Sequence, residues 1–116
     1  MPSAHVPITD LALNILLALG EGPLHGYGII KDIEDRSRAP SGLRSGTLYT
    51  ALQRLKSEGL VASAPVPAGD PGRDQRRKYF TMTPLGRQVV ASELQRLRSF
   101  VSLGVDRRLI EAEGSG

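Results

Sequence analysis

The 116-residue sequence contains no cysteine, no tryptophan and only two histidines, His5 and His25. The absence of cysteine excludes disulfide bonds and thiolate metal sites. The two histidines are far apart in the sequence, and no Ser/His/Asp or Glu/His arrangement suggests a catalytic group. We therefore expect no metal, no cofactor and no catalytic residue, and the chain is not predicted to be an enzyme.

Long apolar runs are also missing, although 40% of the residues are hydrophobic. No stretch of about 18 apolar residues is present, so a membrane span is not expected. The N-terminus, MPSAHVPITD, lacks the basic region followed by an apolar region that marks a secretory signal. A chain of this length is predicted to form one domain, and its expected location is the cytoplasm.

Charge is distributed unevenly along the chain. The net charge is only +3, from 15 basic and 12 acidic residues. Residues 36–87 hold ten of the basic and three of the acidic residues, a net of +7, which leaves five basic and nine acidic residues, a net of −4, elsewhere. A basic centre between acidic ends is typical of a surface that binds a polyanion. The alternative is that these side chains are simply solvated in a loop-rich region.

The spacing of apolar residues predicts three helices in the first half of the chain. The first spans about residues 8–20 and is apolar nearly all round, and the second spans about residues 27–36. The third, SGTLYTALQRLKSEGL, is expected to be capped by Ser45 and to end at Gly59. Leucines and an alanine at helical spacing form its buried stripe.

Two strands and a fourth helix are predicted to follow. LVASAPV and RRKYFTMT have strand character, and PAGDPGRDQ between them is typical of a hairpin tip. Thr83 and Pro84 form a helix start, a cap followed by proline at the first position. The order predicts a mainly helical (α+β) fold: a winged helix-turn-helix over residues 8–83, a C-terminal dimerisation helix over 84–103, a flexible tail at 1–7 and a short tail at 104–116.

The outward face of the third helix is narrow, rich in hydroxyl groups and free of acidic residues. A helix of this width fits the DNA major groove, which is about 12 Å wide. Arginine and glutamine can donate to base edges or phosphates, and hydroxyl groups suit phosphate oxygens. The alternative is a plain solvated face. The candidate DNA-binding residues on and just before this helix are Arg44, Ser45, Thr47, Tyr49, Thr50, Gln53 and Arg54.

The predicted hairpin tip carries a basic cluster. Beside a DNA-binding helix, such a tip is a wing that contacts a minor groove or a flanking phosphate, although a cluster on a loop is usually just solvated. Tyr27 is expected to pack in the domain with its hydroxyl outward, and His25 is interpreted as a turn residue that packs on Tyr27. The remaining candidate DNA-binding residues are Tyr27 and, in the predicted wing, Arg73, Gln75, Arg76 and Lys78.

The last helix has apolar residues spaced four, three and four apart, which is the pattern of a helix that meets another helix. The last helix and the first helix together carry more apolar surface than one small domain is expected to bury. Both observations predict a homodimer. The candidate dimer-interface residues are Leu13, Leu17, Val90, Leu94, Leu97 and Val101.

Three segments, LALNILLALGEGPLHGYGIIKDI, SGTLYTALQRLKSEGLV and GRDQRRKYFTMTPLGRQ, resemble in that order the signature regions of the PadR family of bacterial transcriptional regulators. The resemblance covers about residues 8–103. It implies a dimeric winged-helix repressor that binds inverted repeats near promoters and that, in some members, is released by a small molecule. It also implies double-stranded DNA as the partner and a cytoplasmic location beside the nucleoid.

The sequence departs from the family pattern at two places, and other functions stay open. Thr50 stands where the family commonly has proline, and the C-terminal part is short, as in the smaller subfamily. The absence of tryptophan puts in doubt the aromatic drug pocket of some members. The alternatives are a winged helix that binds proteins rather than DNA, and another class of drug-sensing or metal-sensing winged-helix regulator.

Overall fold

The computed structural model describes residues 8–37, 42–68 and 78–112. Seven regular elements follow one another in these ranges, with a short 3₁₀ turn, Leu19–Glu21, after the first. They are α1 (Asp10–Ala18), β1 (Leu24–His25), α2 (Gly26–Ser37), α3 (Ser45–Ser57), β2 (Val61–Ala64), β3 (Tyr79–Met82) and α4 (Pro84–Asp106).

The first helix begins at a side-chain cap. The Thr9 hydroxyl accepts a hydrogen bond from the Ala12 N–H at 3.0 Å, so Thr9 is the N-cap residue. Two residues of α1, Ile15 and Leu16, are completely buried. The helix therefore contributes the centre of the core, while its remaining apolar residues lie nearer the surface.

The third helix differs from the prediction at its start and agrees at its end. Arg44, rather than Ser45, is the N-cap residue, and it makes no side-chain cap hydrogen bond. At the other end Gly59 has φ of +80°, a conformation that favours glycine. The Leu60 N–H then donates to the Leu55 carbonyl at 3.0 Å, and Leu60 is buried. The predicted glycine stop with its hydrophobic residue is therefore confirmed.

The described strands form a three-stranded antiparallel sheet in the order β1-β3-β2. Ser63 of β2 and Leu24 of β1 flank Phe80 from opposite sides. Strand β1 was not predicted, because two residues are too few to show an alternating pattern. In β3, Tyr79 and Phe80 are both buried, because the His25 ring packs edge-on against the Tyr79 ring with centroids 5.2 Å apart.

The fourth helix is joined to the end of α3 by a side chain. The Thr83 hydroxyl donates to the Gly59 carbonyl at 2.6 Å and accepts from the Gly86 N–H at 3.0 Å, which confirms the predicted cap. The helix then continues to Asp106, three residues beyond the predicted end. Its N-terminal part packs on the core, and α1 lies against it. The helices and the small sheet form the predicted winged helix-turn-helix.

Candidate nucleic-acid interface

The outward face of α3 carries the predicted polar side chains. Thr47, Gln53 and Arg54 are all exposed, whereas Leu48, Leu52 and Leu55 on the opposite side are buried. The Arg54 side chain is 79% exposed, and its Nε lies 3.5 Å from a carboxylate oxygen of Glu58. Such an exposed ion pair is weak, so the guanidinium can exchange it for a phosphate or a base edge at little cost.

Thr50 is exposed on the same face, but its hydroxyl is already engaged. It donates to the Gly46 carbonyl at 3.0 Å, one turn earlier in the helix. Because a hydroxyl has a single proton, Thr50 must break this bond before it can donate to a phosphate oxygen. The role predicted for Thr50 therefore needs a rearrangement that Arg54 does not.

Arg44 and Ser45 lie at the N-terminal end of α3, and both are exposed. The aligned peptide dipoles of the helix make this end partly positive. Together with the charge of Arg44, this end favours an anion such as a phosphate. Their predicted roles are compatible with this position, although Ser45 does not act as the cap.

The two tyrosines of the predicted set lie in different surroundings. Tyr27 was expected to pack within the domain, but it is 72% exposed, and its ring stacks on His25 with centroids 6.2 Å apart. Tyr49, a candidate residue of the outward face of α3, is 36% exposed. Its ring lies at the edge of that face, against α2 and β3.

His25 has the packing role expected for it, and it also ends β1. Its Nδ1 accepts a hydrogen bond from the Gly28 N–H at 3.1 Å, which caps the first turn of α2. The stacking on Tyr27 confirms the expected packing, but His25 lies in strand β1 rather than in a turn.

Some of the basic residues in the +7 span are exposed but already make hydrogen bonds within the domain. Arg36 donates to Asp32 at 2.8 Å and to the side-chain and backbone oxygens of Asn14. Arg87 donates to the Gly20 carbonyl at 3.2 Å. The charge pattern alone therefore overstated the surface available to a polyanion, because it could not separate these side chains from free ones.

The predicted wing is described only at its base. Lys78 is exposed and directly precedes β3, so it lies where the hairpin leaves the sheet. Arg73, Gln75 and Arg76 lie outside the described residues, and their roles stay predictions.

The residues predicted to form the dimer interface separate into two groups. Val90 differs from the prediction: it is 8% exposed and belongs to the core of its own chain, so little of its surface is left for a partner. The other five keep accessible surface. Leu17, Leu94 and Val101 are exposed, and Leu13 and Leu97 are half-buried.

The sequence interpretation did not anticipate an ion pair on α4. Glu93 is only 3% exposed, and its carboxylate accepts two hydrogen bonds from Arg96, at 2.6 and 3.0 Å. This hydrogen bonding raises the pKa of Arg96, so the guanidinium stays charged. The same guanidinium lies 5.2 Å from the centre of the Phe100 ring. The i, i+3 and i, i+4 spacings could have suggested the contacts but not the burial of Glu93.

Within the described ranges, no group of three or more His, Cys, Asp or Glu side chains could hold a metal ion. None of the helices in these ranges is both long enough and apolar enough to cross a membrane.

Comparison with known proteins identifies the family. Residues 15–92 match the model of the transcriptional regulator PadR-like family. A PadR family transcription regulator from Clostridium difficile R20291 is 28% identical, with a TM-score of 0.68 over 88% of this chain and 100% of its own. A PadR family regulator from Eggerthella lenta is 30% identical, with a TM-score of 0.60 over 88% of this chain and 83% of its own.

A curated relative is much longer than this chain. An uncharacterized 37.1 kDa protein in transposon TN4556 of Streptomyces fradiae is 39% identical over 84 residues, 72% of this chain. The match spans only 22% of that relative's length, so it carries no information on the activity of the whole protein. The family match covers most of the chain and the same fold is found in solved family members, so this chain belongs to the PadR-like family of transcriptional regulators.

Proposed function

We propose that the chain is a repressor that binds an inverted-repeat operator as a homodimer, with α3 in the major groove. The observation that carries this proposal is the exposed face of α3. It presents Arg54, Gln53 and Thr47 to solvent on a helix that is otherwise anchored by three buried leucines. A helix held in this way can place side chains against base edges without losing its own packing. Because the proposed target is DNA, we expect the protein to act in the cytoplasm, beside the nucleoid.

The apolar surface of α4 supports the homodimer. The helix has 23 residues, and its C-terminal part exposes Phe100, Val101 and Leu103, which are 59%, 50% and 45% exposed. Leu94, one to two turns earlier, is 38% exposed. Leu94 and Val101 are seven residues apart and therefore lie on one face of the helix, and exposed apolar side chains that share a face are typical of a protein interface. Packing of two copies would remove this surface from water. Each Å² of buried apolar surface would stabilise the dimer by about 25 cal/mol.

Two-fold symmetry connects the dimer to the form of the operator. In a symmetric dimer the two copies of α3 face the same side of the DNA, so the half-sites form an inverted repeat. Helix-turn-helix dimers place their half-sites about one DNA turn apart, roughly 34–36 Å. The proposed operator is therefore a palindrome with that spacing.

A small-molecule effector is a further part of the proposal. A groove of about 420 Å³ lies between α1 and α3, and its floor includes Leu11 and Leu55. Its volume is within the range of small-ligand sites. Arg54 and Thr50 lie at its edge, so a molecule bound there would obstruct the face that we assign to DNA.

Selection of bound duplexes from a random DNA library tests the proposal without knowledge of the regulated gene. We expect enrichment of a palindromic sequence, bound by one dimer in sedimentation, with an affinity that falls steeply as salt is increased. Failure to enrich any sequence, although the protein is folded and dimeric, would contradict the proposal. That result would favour the alternative of a winged helix that binds proteins.

A further inference from the structure

Gly26, the first residue of α2, lies beside the side chain of Tyr49 on α3. Gly26 is buried, and a methyl group placed on it would lie 2.7 Å from the Tyr49 hydroxyl oxygen and 3.0 Å from Cζ. Carbon atoms do not approach this closely without a shift of one partner. The Tyr49 phenol therefore occupies space that exists only because residue 26 has no side chain.

The other side of the Tyr49 ring is also occupied. The Phe80 ring packs against it edge-on, with centroids 6.2 Å apart and planes at 61°. Phe80 is 1% exposed and lies in the central strand, two residues after Lys78 at the base of the wing. Since Phe80 cannot withdraw without opening the core, the Tyr49 ring is confined between α2 and β3.

We propose that the empty position at Gly26 makes Tyr49 a positioning residue, whose ring fixes the distance and orientation of α3 relative to the wing strand β3. The inference rests on the proposed function, because the spacing between α3 and β3 decides whether α3 and the wing can contact DNA at the same time. Tyr49 acts here through the placement of α3, and its hydroxyl is directed at Gly26 rather than at a phosphate.

Backbone conformation does not explain the glycine at position 26. Positive φ angles among the described glycines occur at Gly22, Gly42 and Gly59, and Gly26 is not one of them. Alanine is ordinarily better than glycine within a helix, so replacing Gly26 with alanine should stabilise α2 if helix propensity alone mattered. The space taken by Tyr49 is the physical reason that a side chain is excluded.

Gly28 provides a matched control two residues later in the same helix. A methyl group on Gly28 would meet Leu24 at 3.4 Å and His25 at 3.6 Å, which are ordinary van der Waals contacts. The change Gly28→Ala therefore has the same effect on backbone freedom in α2 as Gly26→Ala, but it leaves the space around Tyr49 unchanged.

The experiment compares Gly26→Ala, Gly28→Ala and Tyr49→Phe on the selected duplex and on unrelated DNA. We expect Gly26→Ala to reduce the ratio of specific to nonspecific affinity by about tenfold, the scale of losing one base contact, while nonspecific affinity is retained. Gly28→Ala and Tyr49→Phe, which keep the ring in place, should leave the ratio unchanged. A ratio unchanged by Gly26→Ala, or one reduced equally by Tyr49→Phe, would overturn the inference.

A rescue variant separates positioning from a general loss of fold. In a Tyr49→Ala background the ring is absent, so adding Gly26→Ala should cause no further loss of the affinity ratio. A further loss of the affinity ratio in the double variant, relative to Tyr49→Ala, would show that Tyr49 is not the group displaced, and would overturn the inference. This comparison stays valid even where Gly26→Ala alone fails to fold.

Fluorine NMR tests the geometry without DNA. The chain has three tyrosines, so labelling with 3-fluorotyrosine gives one environment each for Tyr27, Tyr49 and Tyr79. Gly26→Ala should shift the Tyr49 resonance toward that of an exposed ring, and Gly28→Ala should leave it in place. An unmoved Tyr49 resonance in Gly26→Ala would overturn the inference, whereas the absence of a selected duplex would overturn only the proposed function.

Discussion

Replacement of Arg54 by alanine separates DNA recognition from stability on the exposed face of α3. The side chain is 79% exposed, and its Nε lies 3.5 Å from Glu58. An exposed pair with this i, i+4 spacing contributes about 0.2–0.5 kcal/mol. The free energy of unfolding should therefore change by no more than about that amount, and alanine's helix propensity will offset part of the loss.

The loss in DNA binding should be larger. A direct contact to a base contributes about 1–3 kcal/mol, which corresponds to a decrease of about 5- to 150-fold in affinity for the selected operator. Affinity for unrelated DNA should fall much less, because base contacts do not contribute there. Fluorescence anisotropy on both duplexes and denaturant unfolding of the same preparations measure the two effects.

Lys56→Ala is the matched control for charge. It removes one positive charge from the same helix, but the Lys56 ammonium group donates to the Ser63 hydroxyl on β2 at 3.0 Å, away from the proposed DNA face. We expect Lys56→Ala to change specific affinity by less than about 0.5 kcal/mol. Equal losses in Arg54→Ala and Lys56→Ala would refute the reasoning, because the effect would then be one of net charge alone.

Three further predictions concern the wing, the dimer and the start of α4. Replacing Arg73 and Arg76 with alanine should weaken specific and nonspecific binding alike and reduce the slope of log affinity against log salt by about one unit per lost phosphate contact. Leu94→Glu with Leu97→Glu should give monomers in sedimentation and a loss of operator affinity greater than one contact explains. Gly86→Ala should lower the free energy of unfolding by about 1–3 kcal/mol, because its methyl group would collide with the Leu60 carbonyl oxygen.

Each of these predictions has a control variant. Arg98→Ala removes a charge on α4 and should leave the salt slope unchanged. Gln95→Glu adds an acidic side chain to α4 beside Leu94 and should leave the dimer intact, so a monomeric Gln95 variant would contradict the assigned interface. Gly46→Ala meets open space and should stabilise α3 by up to about 1 kcal/mol, in contrast to Gly86→Ala.

The sequence predicted the elements whose signals are local. Thr83 followed by Pro84 marked the start of α4, and Gly59 followed by Leu60 marked the end of α3, because caps and stops depend on a few adjacent residues. The buried leucine stripe of α3 followed from helical periodicity. These features are set by the chain within one or two turns.

Features that depend on contacts between distant segments were not predictable from the same signals. Strand β1 exists because His25 pairs with Tyr79, and two residues in isolation show no strand pattern. Val90 fits the spacing of an interface residue, but the packing of α4 on α1 places it in the core. Helical geometry places Tyr49 at the edge of the exposed face. Its contact with α2 depends on the absence of a side chain at Gly26, which the pattern of α3 does not show.

Site-directed DNA cleavage shows whether two copies of α3 lie in the major groove one turn apart, as we propose. Because the chain has no cysteine, Gln53→Cys provides a single attachment point for an iron–EDTA reagent on the exposed face of α3, and Ser99→Cys provides one on α4. Attached at position 53, the reagent should cleave the selected operator at two positions about 10–10.5 base pairs apart. Attached at position 99, it should give little cleavage. Equal cleavage from both positions, or no localised cleavage from position 53, would contradict the account.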